Sequence, residues 1–207
     1  MANKLIRKTT VGEICKISKG QQLNKDKLFK VGKYPVINGG VNPSGYWNEF
    51  NYPKNSITIA QGGSAGFVDW QKNNFWAGAH CYVITNVSDY VNYKFLYYFL
   101  KNSEKHLMRS KVGATIPSLS VKEIKNISLP LPPLDLQQKI VDILDNFTEL
   151  TAELTAELTA RKKQYEYYRD KLLDFSNASR ERERERDYWQ VFISSMQYFK
   201  RESYIQK

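Results

Sequence analysis

Two cysteines, two histidines and three methionines in 207 residues leave little room for metal or redox chemistry. Cys15 and Cys81 stand far apart and form no CxxC pair, so they read as two reduced, partly buried thiols rather than a disulfide or zinc framework. His80, beside Cys81, lacks the further ligands a zinc ion needs. No run of 18 apolar residues is present, which argues against a membrane span. The stretch from Met1 to Lys8 holds no apolar signal region, and the expected location is the cytoplasm. Catalytic signatures are missing as well: there is neither a phosphate-binding P-loop nor a GxSxG elbow. Gly62-Gly63-Ser64-Ala65-Gly66 is glycine-rich, but it lacks the strand–GxGxxG–helix setting of a dinucleotide site and reads as a tight turn between strands. Leu131-Pro132-Pro133-Leu134 does not match the Asn/Asp-Pro-Pro-aromatic motif of a base methyltransferase. The chain is expected to be non-catalytic.

What is present is a core and a charge asymmetry. Hydrophobic residues make up 42% and aromatic residues 14% of the chain, enough for one ordinary domain plus an appendage. The net charge is +10. Residues 1–132 carry 18 Lys/Arg against 7 Asp/Glu, residues 133–175 carry 6 against 9, and residues 176–207 carry 7 against 5. The part that reads as globular is therefore the basic part, which suits a polyanionic partner.

The first 85 residues read as short strands and loops. β-type runs at Tyr34 to Ile37, Ser56 to Ala60, Gly66 to Trp70 and Cys81 to Thr85 lie between turn signals such as Asn38-Gly39-Gly40 and Gln61-Gly62-Gly63. Val91, Phe95, Leu96, Phe99 and Leu100 recur at helical spacing and predict one helix over 89–109. Ser120 to Glu123 has capping-box spacing, and Ile127 to Leu131 is expected to be extended ahead of the prolines. With Asp135 as its cap, a helix should then run to about Phe175.

That helix carries the most informative pattern in the chain. The unit Thr-Ala-Glu-Leu occurs twice, Thr151 to Leu154 and Thr155 to Leu158, after a near copy at Phe147 to Leu150. Each unit adds about 6 Å of helix. Ile140, Leu144, Phe147, Leu154, Leu158, Tyr165, Tyr168 and Leu172 fall on a heptad seam and are the expected dimer interface. A helix of about 40 residues spans roughly 60 Å and needs a partner to be stable. The tail differs: Arg180 to Arg186 alternates Arg and Glu, and Trp189, Phe192, Ile193, Met196 and Phe199 fit one face of a short helix.

Base edges are read by Asn, Gln, Arg, Lys, Ser and Thr, and phosphates are held by cations, hydroxyls and backbone N–H groups. The turn regions supply Lys19, Gln21, Gln22, Asn38, Asn42, Ser44, Tyr46, Gln61, Ser64, Arg109, Lys111 and Thr115 as candidate DNA-facing residues.

Three stretches carry a resemblance: Val11 to Gly20; Ile57 to Val68 with Phe75 and Trp76; and Gly113 to Ser120 followed by Ile127 to Val141 and the long helix. Over about residues 8 to 175 the chain resembles the DNA specificity subunit of Type I restriction–modification enzymes. The resemblance implies an α+β architecture: a mixed α/β target-recognition domain over residues 1–133, then a coiled-coil spacer helix over 134–175; residues 176–207, beyond the resemblance, read from their composition as a charged low-complexity tail. Such subunits usually hold two domains and two helices, so a half-length form is expected, pairing through its helices on a bipartite site of double-stranded DNA. The implied partners are modification subunits, which hold S-adenosylmethionine and methylate adenine, and a restriction subunit. No cofactor is expected in this chain. Three alternatives stand beside this one: a non-enzymatic coiled-coil interaction protein whose basic domain binds RNA or protein, a complete nuclease or methyltransferase, and a truncated, inactive product.

Overall fold

Alternation along two adjacent strands organises the first part of the chain. In β8 (Cys81–Thr85), Tyr82 and Ile84 face the main core together with Ile57 and Ile59 of β5 (Ser56–Ala60). Cys81 and Val83, one residue out of phase, face a second, smaller core with Phe75 and Ala77. A sheet covered on both faces loses the polar–apolar alternation of a half-solvated one, which is why every residue of β5 is buried. With β2 (Lys16–Lys19) and β6 (Val68–Gln71) these strands form an antiparallel sheet of order β2-β8-β5-β6. The structure is a computed structural model and describes residues 6–110, 118–174 and 187–194. It divides into two units, Met1–Asp145 and Asn146–Lys207.

Two smaller sheets complete the first unit. One has the order β4-β3-β7, with β3 (Tyr34–Ile37) antiparallel to β4 (Tyr46–Trp47) and parallel to β7 (Trp76–Ala77). The other pairs β1 (Arg7–Thr10) with β9 (Ser128–Leu131). Both cysteines are free, and they are buried rather than partly buried; burial pushes the Cys15 thiol up to about 11 and the Cys81 thiol up to about 12.

The helices depart from the sequence reading at several points. A four-residue helix, α1 (Val11–Ile14), interrupts a region expected to hold only strands and loops. The Glu13 carboxylate accepts hydrogen bonds from the Thr9 hydroxyl at 2.6 Å and the Thr10 N–H at 2.9 Å, and both hold it below its ordinary pKa. The single helix expected over 89–109 is two: α2 (Tyr93–Asn102) and α3 (Glu104–Arg109), separated at Ser103. Asn92 fixes the later start, its side-chain oxygen accepting from the backbone N–H of Lys94 and of Phe95. The strand expected from Gly66 begins at Val68, because Gly66 sits at φ +94° in the turn before it. Ser120 caps α4 (Val121–Lys125) as expected, accepting from the Lys122 N–H at 3.2 Å.

The long helix, α5 (Leu134–Leu173), opens on a different group from the one expected. Asp135 lies inside its first turn, and the Pro133 carbonyl accepts the N–H of both Leu136 and Gln137 at 3.0 Å. The base of the helix is pinned to α2 twice. Gln137 is fully buried: its Oε1 accepts from the Asn92 N–H at 2.8 Å, and its Nε2 donates to the carbonyls of Pro132 at 2.8 Å and Tyr90 at 3.1 Å. Two turns later Asp145 accepts from Lys94 Nζ at 2.8 Å and from the Tyr98 hydroxyl. Burial pushes the Asp145 carboxyl up, but the Lys94 and Tyr98 hydrogen bonds outweigh it and hold the group below the ordinary aspartate value. A depressed folded-state pKa stabilises the fold at neutral pH, and that contribution disappears as pH falls through about 4 and below. Asp145→Asn is therefore expected to melt below the wild type at pH 7, with the difference closing as pH falls below the ordinary aspartate range and through the depressed folded-state value, read from melting curves from neutral to acid pH.

In the second unit α5 continues through the Thr-Ala-Glu-Leu stretch to Leu173 rather than Phe175, and residues 187–194 are helical. Phe175, the Arg–Glu run, Met196 and Phe199 lie outside the described residues. Each repeat threonine turns its hydroxyl back on its own helix. Thr151, Thr155 and Thr159 donate to the carbonyls of Phe147, Thr151 and Thr155 at 2.7, 2.7 and 2.8 Å. Among the described residues no helix is long and apolar enough to cross a membrane.

Candidate nucleic-acid interface

Four strand ends converge in the first unit, stitched together by backbone hydrogen bonds. Gly20 N–H donates to the Cys81 carbonyl at 2.9 Å and Gln21 N–H to that of Ala77 at 2.8 Å. Gly78 N–H donates to Ile37, Gln61 N–H to His80 and Ser64 N–H to Gly39, at 2.7, 2.8 and 2.7 Å. The segments 19–22, 37–40, 61–64 and 77–81 thus form one cluster of turns. Glycine makes this approach feasible at two positions above all. A Cβ on Gly39 would lie 2.5 Å from the Gly62 carbonyl oxygen, and Gly63 adopts φ +62° against the Gly39 carbonyl.

The cluster collects Lys19, Gln21, Gln22, Asn38, Gln61 and Ser64 from the sequence-derived set. Asn42 and Ser44 occupy the β3–β4 connection, where Ser44 N–H donates to the Val36 carbonyl at 2.8 Å, and both are exposed. Tyr46 lies within β4 rather than in a loop and is half-buried. Arg109, exposed, ends α3, and α3 abuts the turn after Ser64: a Cβ on Gly66 would meet the Met108 nitrogen at 2.7 Å. Lys111 and Thr115 lie outside the described residues.

The side chains of the cluster differ in what they can still offer. Asn38 Oδ1 is occupied by the His80 N–H at 2.8 Å, leaving its amide N–H groups for other use. Gln61 Oε1 is the one buried side-chain oxygen or nitrogen among the described residues that has no hydrogen-bond partner. His80 is exposed at the rim. Sequence reasoning weighed His80 only as a metal ligand; its place in the cluster follows from the β7–β8 turn, which no local pattern around it signals. Among the described residues no group of three or more His, Cys, Asp or Glu is placed to hold a metal ion.

The expected interface residues on α5 divide between the units. In the first, Ile140 and Leu144 are half-buried, and Ile140 packs against the main core. In the second, Phe147, Leu154, Leu158, Tyr165 and Leu172 are exposed, Tyr165 by 68%, and Tyr168 is half-buried against Tyr167 at 5.2 Å between ring centres.

Residues 3–161 match the family described as the Type I restriction modification DNA specificity domain. A Mycoplasma genitalium protein named as a type I specificity subunit is 30% identical over 175 residues, covering 83% of this chain and 45% of that protein. A Haemophilus influenzae protein named as a type I restriction enzyme specificity subunit is 35% identical over 168 residues, covering 75% and 43%. The crystal structure of a Type I restriction–modification S subunit from M. genitalium superposes with a TM-score of 0.71 at 28% identity, over 87% of this chain and 49% of that one. The HsdS subunit of Thermoanaerobacter tengcongensis shares the fold, with a TM-score of 0.58 at 22% identity, over 75% of this chain and 40% of that one. The chain spans less than half the length of each of these relatives.

Proposed function

Because the chain belongs to the Type I restriction modification DNA specificity domain family, we propose that it selects the DNA sequence on which a Type I restriction–modification enzyme acts. The observation that carries this reading is the extent of the family match, which takes in both the cluster of turns and the Thr-Ala-Glu-Leu stretch of α5. The first unit holds one half-site, with Lys19, Gln21, Gln61 and Ser64 of the cluster facing base edges and phosphates. A second copy, paired through the exposed face of α5, presents the same surface to an inverted half-site. Duplex DNA recognised this way is bipartite, with a gap set by the helix.

The chemistry lies elsewhere. Modification subunits bring S-adenosylmethionine and transfer the methyl group to adenine, and a restriction subunit brings cleavage. This chain contributes position alone. Co-expression with modification subunits, followed by sequencing of methylated bases, tests the reading. The expected result is methylation at an inverted, two-part sequence that disappears when this chain is withheld. Methylation that is the same without the chain, or absent from an assembled complex that contains it, overturns the proposal.

A further inference from the structure

The edge of the three-stranded sheet carries a second surface that the cluster of turns does not use. Phe29 pairs with Tyr46 across the outer side of β4, its N–H donating at 3.0 Å and its carbonyl accepting at 2.9 Å, so this one bridge ties the segment 25–33, which opens with a single 3-10 turn at Lys25–Lys27, to the edge of the sheet. That segment presents Lys25, Lys27, Lys30 and Lys33, all exposed, with Asp26 and Glu49 as the acids of the surrounding lobe. Its footing is aromatic. Phe29 stacks on Trp47 at 5.7 Å and 10°, Tyr34 meets Phe50 edge-on at 5.0 Å, and Lys33 Nζ lies 5.3 Å from the Tyr34 ring. Phe29 and Phe50 nonetheless remain 44% and 45% exposed, and Val31 86%. A merely solvated lysine face needs no such platform, and lysines on a segment tied to the sheet through Phe29 lose less freedom on gripping a partner than lysines on a loose loop.

The spacing suits a duplex. From Asn38, in the cluster of turns, back to Lys33 is five residues of mostly extended chain, about 17 Å at roughly 3.3 Å per residue. The major groove is about 12 Å wide. A domain that sets the cluster against base edges therefore has Lys33, and the segment tied to the sheet at Phe29 beside it, within reach of the phosphates bordering the groove.

We propose that Lys25, Lys27, Lys30 and Lys33 form a sequence-blind phosphate grip on the DNA backbone beside the recognised half-site. The proposal rests on the specificity reading above. It is tested with the full chain carrying Lys25→Gln, Lys27→Gln, Lys30→Gln and Lys33→Gln together, in equilibrium binding to the duplex found methylated and to a scrambled duplex of equal length, from 50 to 300 mM salt. Each phosphate contact contributes roughly 0.9 to the slope of log affinity against log salt, so the variant's slope should be shallower by about 2 to 4. Its affinity should fall by the same factor on both duplexes, about 100- to 1,000-fold at the low-salt end and much less at the high-salt end, with the melting temperature unchanged. An unchanged slope, or a loss confined to the methylated sequence, overturns the grip while leaving the specificity reading intact. So does weakened association with modification subunits at an unaltered DNA slope, which would make the edge a protein contact. A wild-type chain that binds neither duplex overturns both.

Discussion

Gln137→Ala is expected to cost the first unit about 3 kcal/mol, the largest loss from any single polar side chain in the described structure. Gln137 is fully buried, and its amide satisfies three backbone groups at once: the Asn92 N–H and the carbonyls of Tyr90 and Pro132. Truncation leaves all three with no partner and opens a cavity beneath the first turn of α5. One buried group left unsatisfied costs about 1–3 kcal/mol, and partial entry of water keeps three of them from adding in full. In a unit of this size about 3 kcal/mol lowers the melting temperature by roughly 10 °C. Gln137→Glu keeps the acceptor for Asn92 but turns a carboxylate towards two carbonyl oxygens, and should be no better. Gln138 is the internal control. It is exposed, and its Oε1 accepts from the Asn92 side chain at 2.7 Å. Gln138→Ala should cost less than about 1 kcal/mol. Thermal unfolding of the three variants decides the matter, and equal, small losses at 137 and 138 would mean that the pin carries no weight.

Deleting Thr155 to Leu158 should leave that fold intact and move the recognised sequence. The four residues lie beyond Asp145, outside the first unit, so melting of the first unit should not change. Removing them shortens α5 by about 6 Å and rotates the remainder of the helix by about 40°. Against a DNA rise of about 3.4 Å per base pair, the gap between half-sites should contract by one to two base pairs. Mapping methylated bases with the deleted chain in an assembled enzyme reads this directly. An enzyme that assembles, methylates and keeps the old gap would show that the helix does not set the distance.

Much of this architecture was legible residue by residue. Tyr34 to Ile37, Ser56 to Ala60 and Cys81 to Thr85 are short runs bounded by turn residues, and each is a strand with those limits. Local chemistry was enough there, because β-branched and aromatic residues between glycines have few other options. Elements made by distant partners were not legible. β1 is a strand because Leu129 and Leu131 of β9 pair with Thr9 and Arg7, and nothing near Arg7 announces it. The same holds within the candidate site. Glycine spacing marked the turns, but only the tertiary contact of Gly39 on Gly62 brings Asn38 beside His80. Gln137 looked like one more polar residue early in a helix; its role depends on the carbonyls of Tyr90 and Pro132 and the N–H of Asn92, which the fold carries to it.

The back-bonded hydroxyls of Thr151, Thr155 and Thr159 bear on how such a helix changes over generations. A threonine whose donor is already occupied by its own backbone can be covered by a neighbouring apolar face without forfeiting a bond to water. Each four-residue block therefore arrives with its hydroxyl already satisfied, so that what it asks of a neighbouring face is room for one more leucine and a turn of about 40° in the helix beyond it. Gain or loss of a whole block therefore carries a small energetic penalty from its polar groups, and selection is then free to act on the outcome rather than on misfolding.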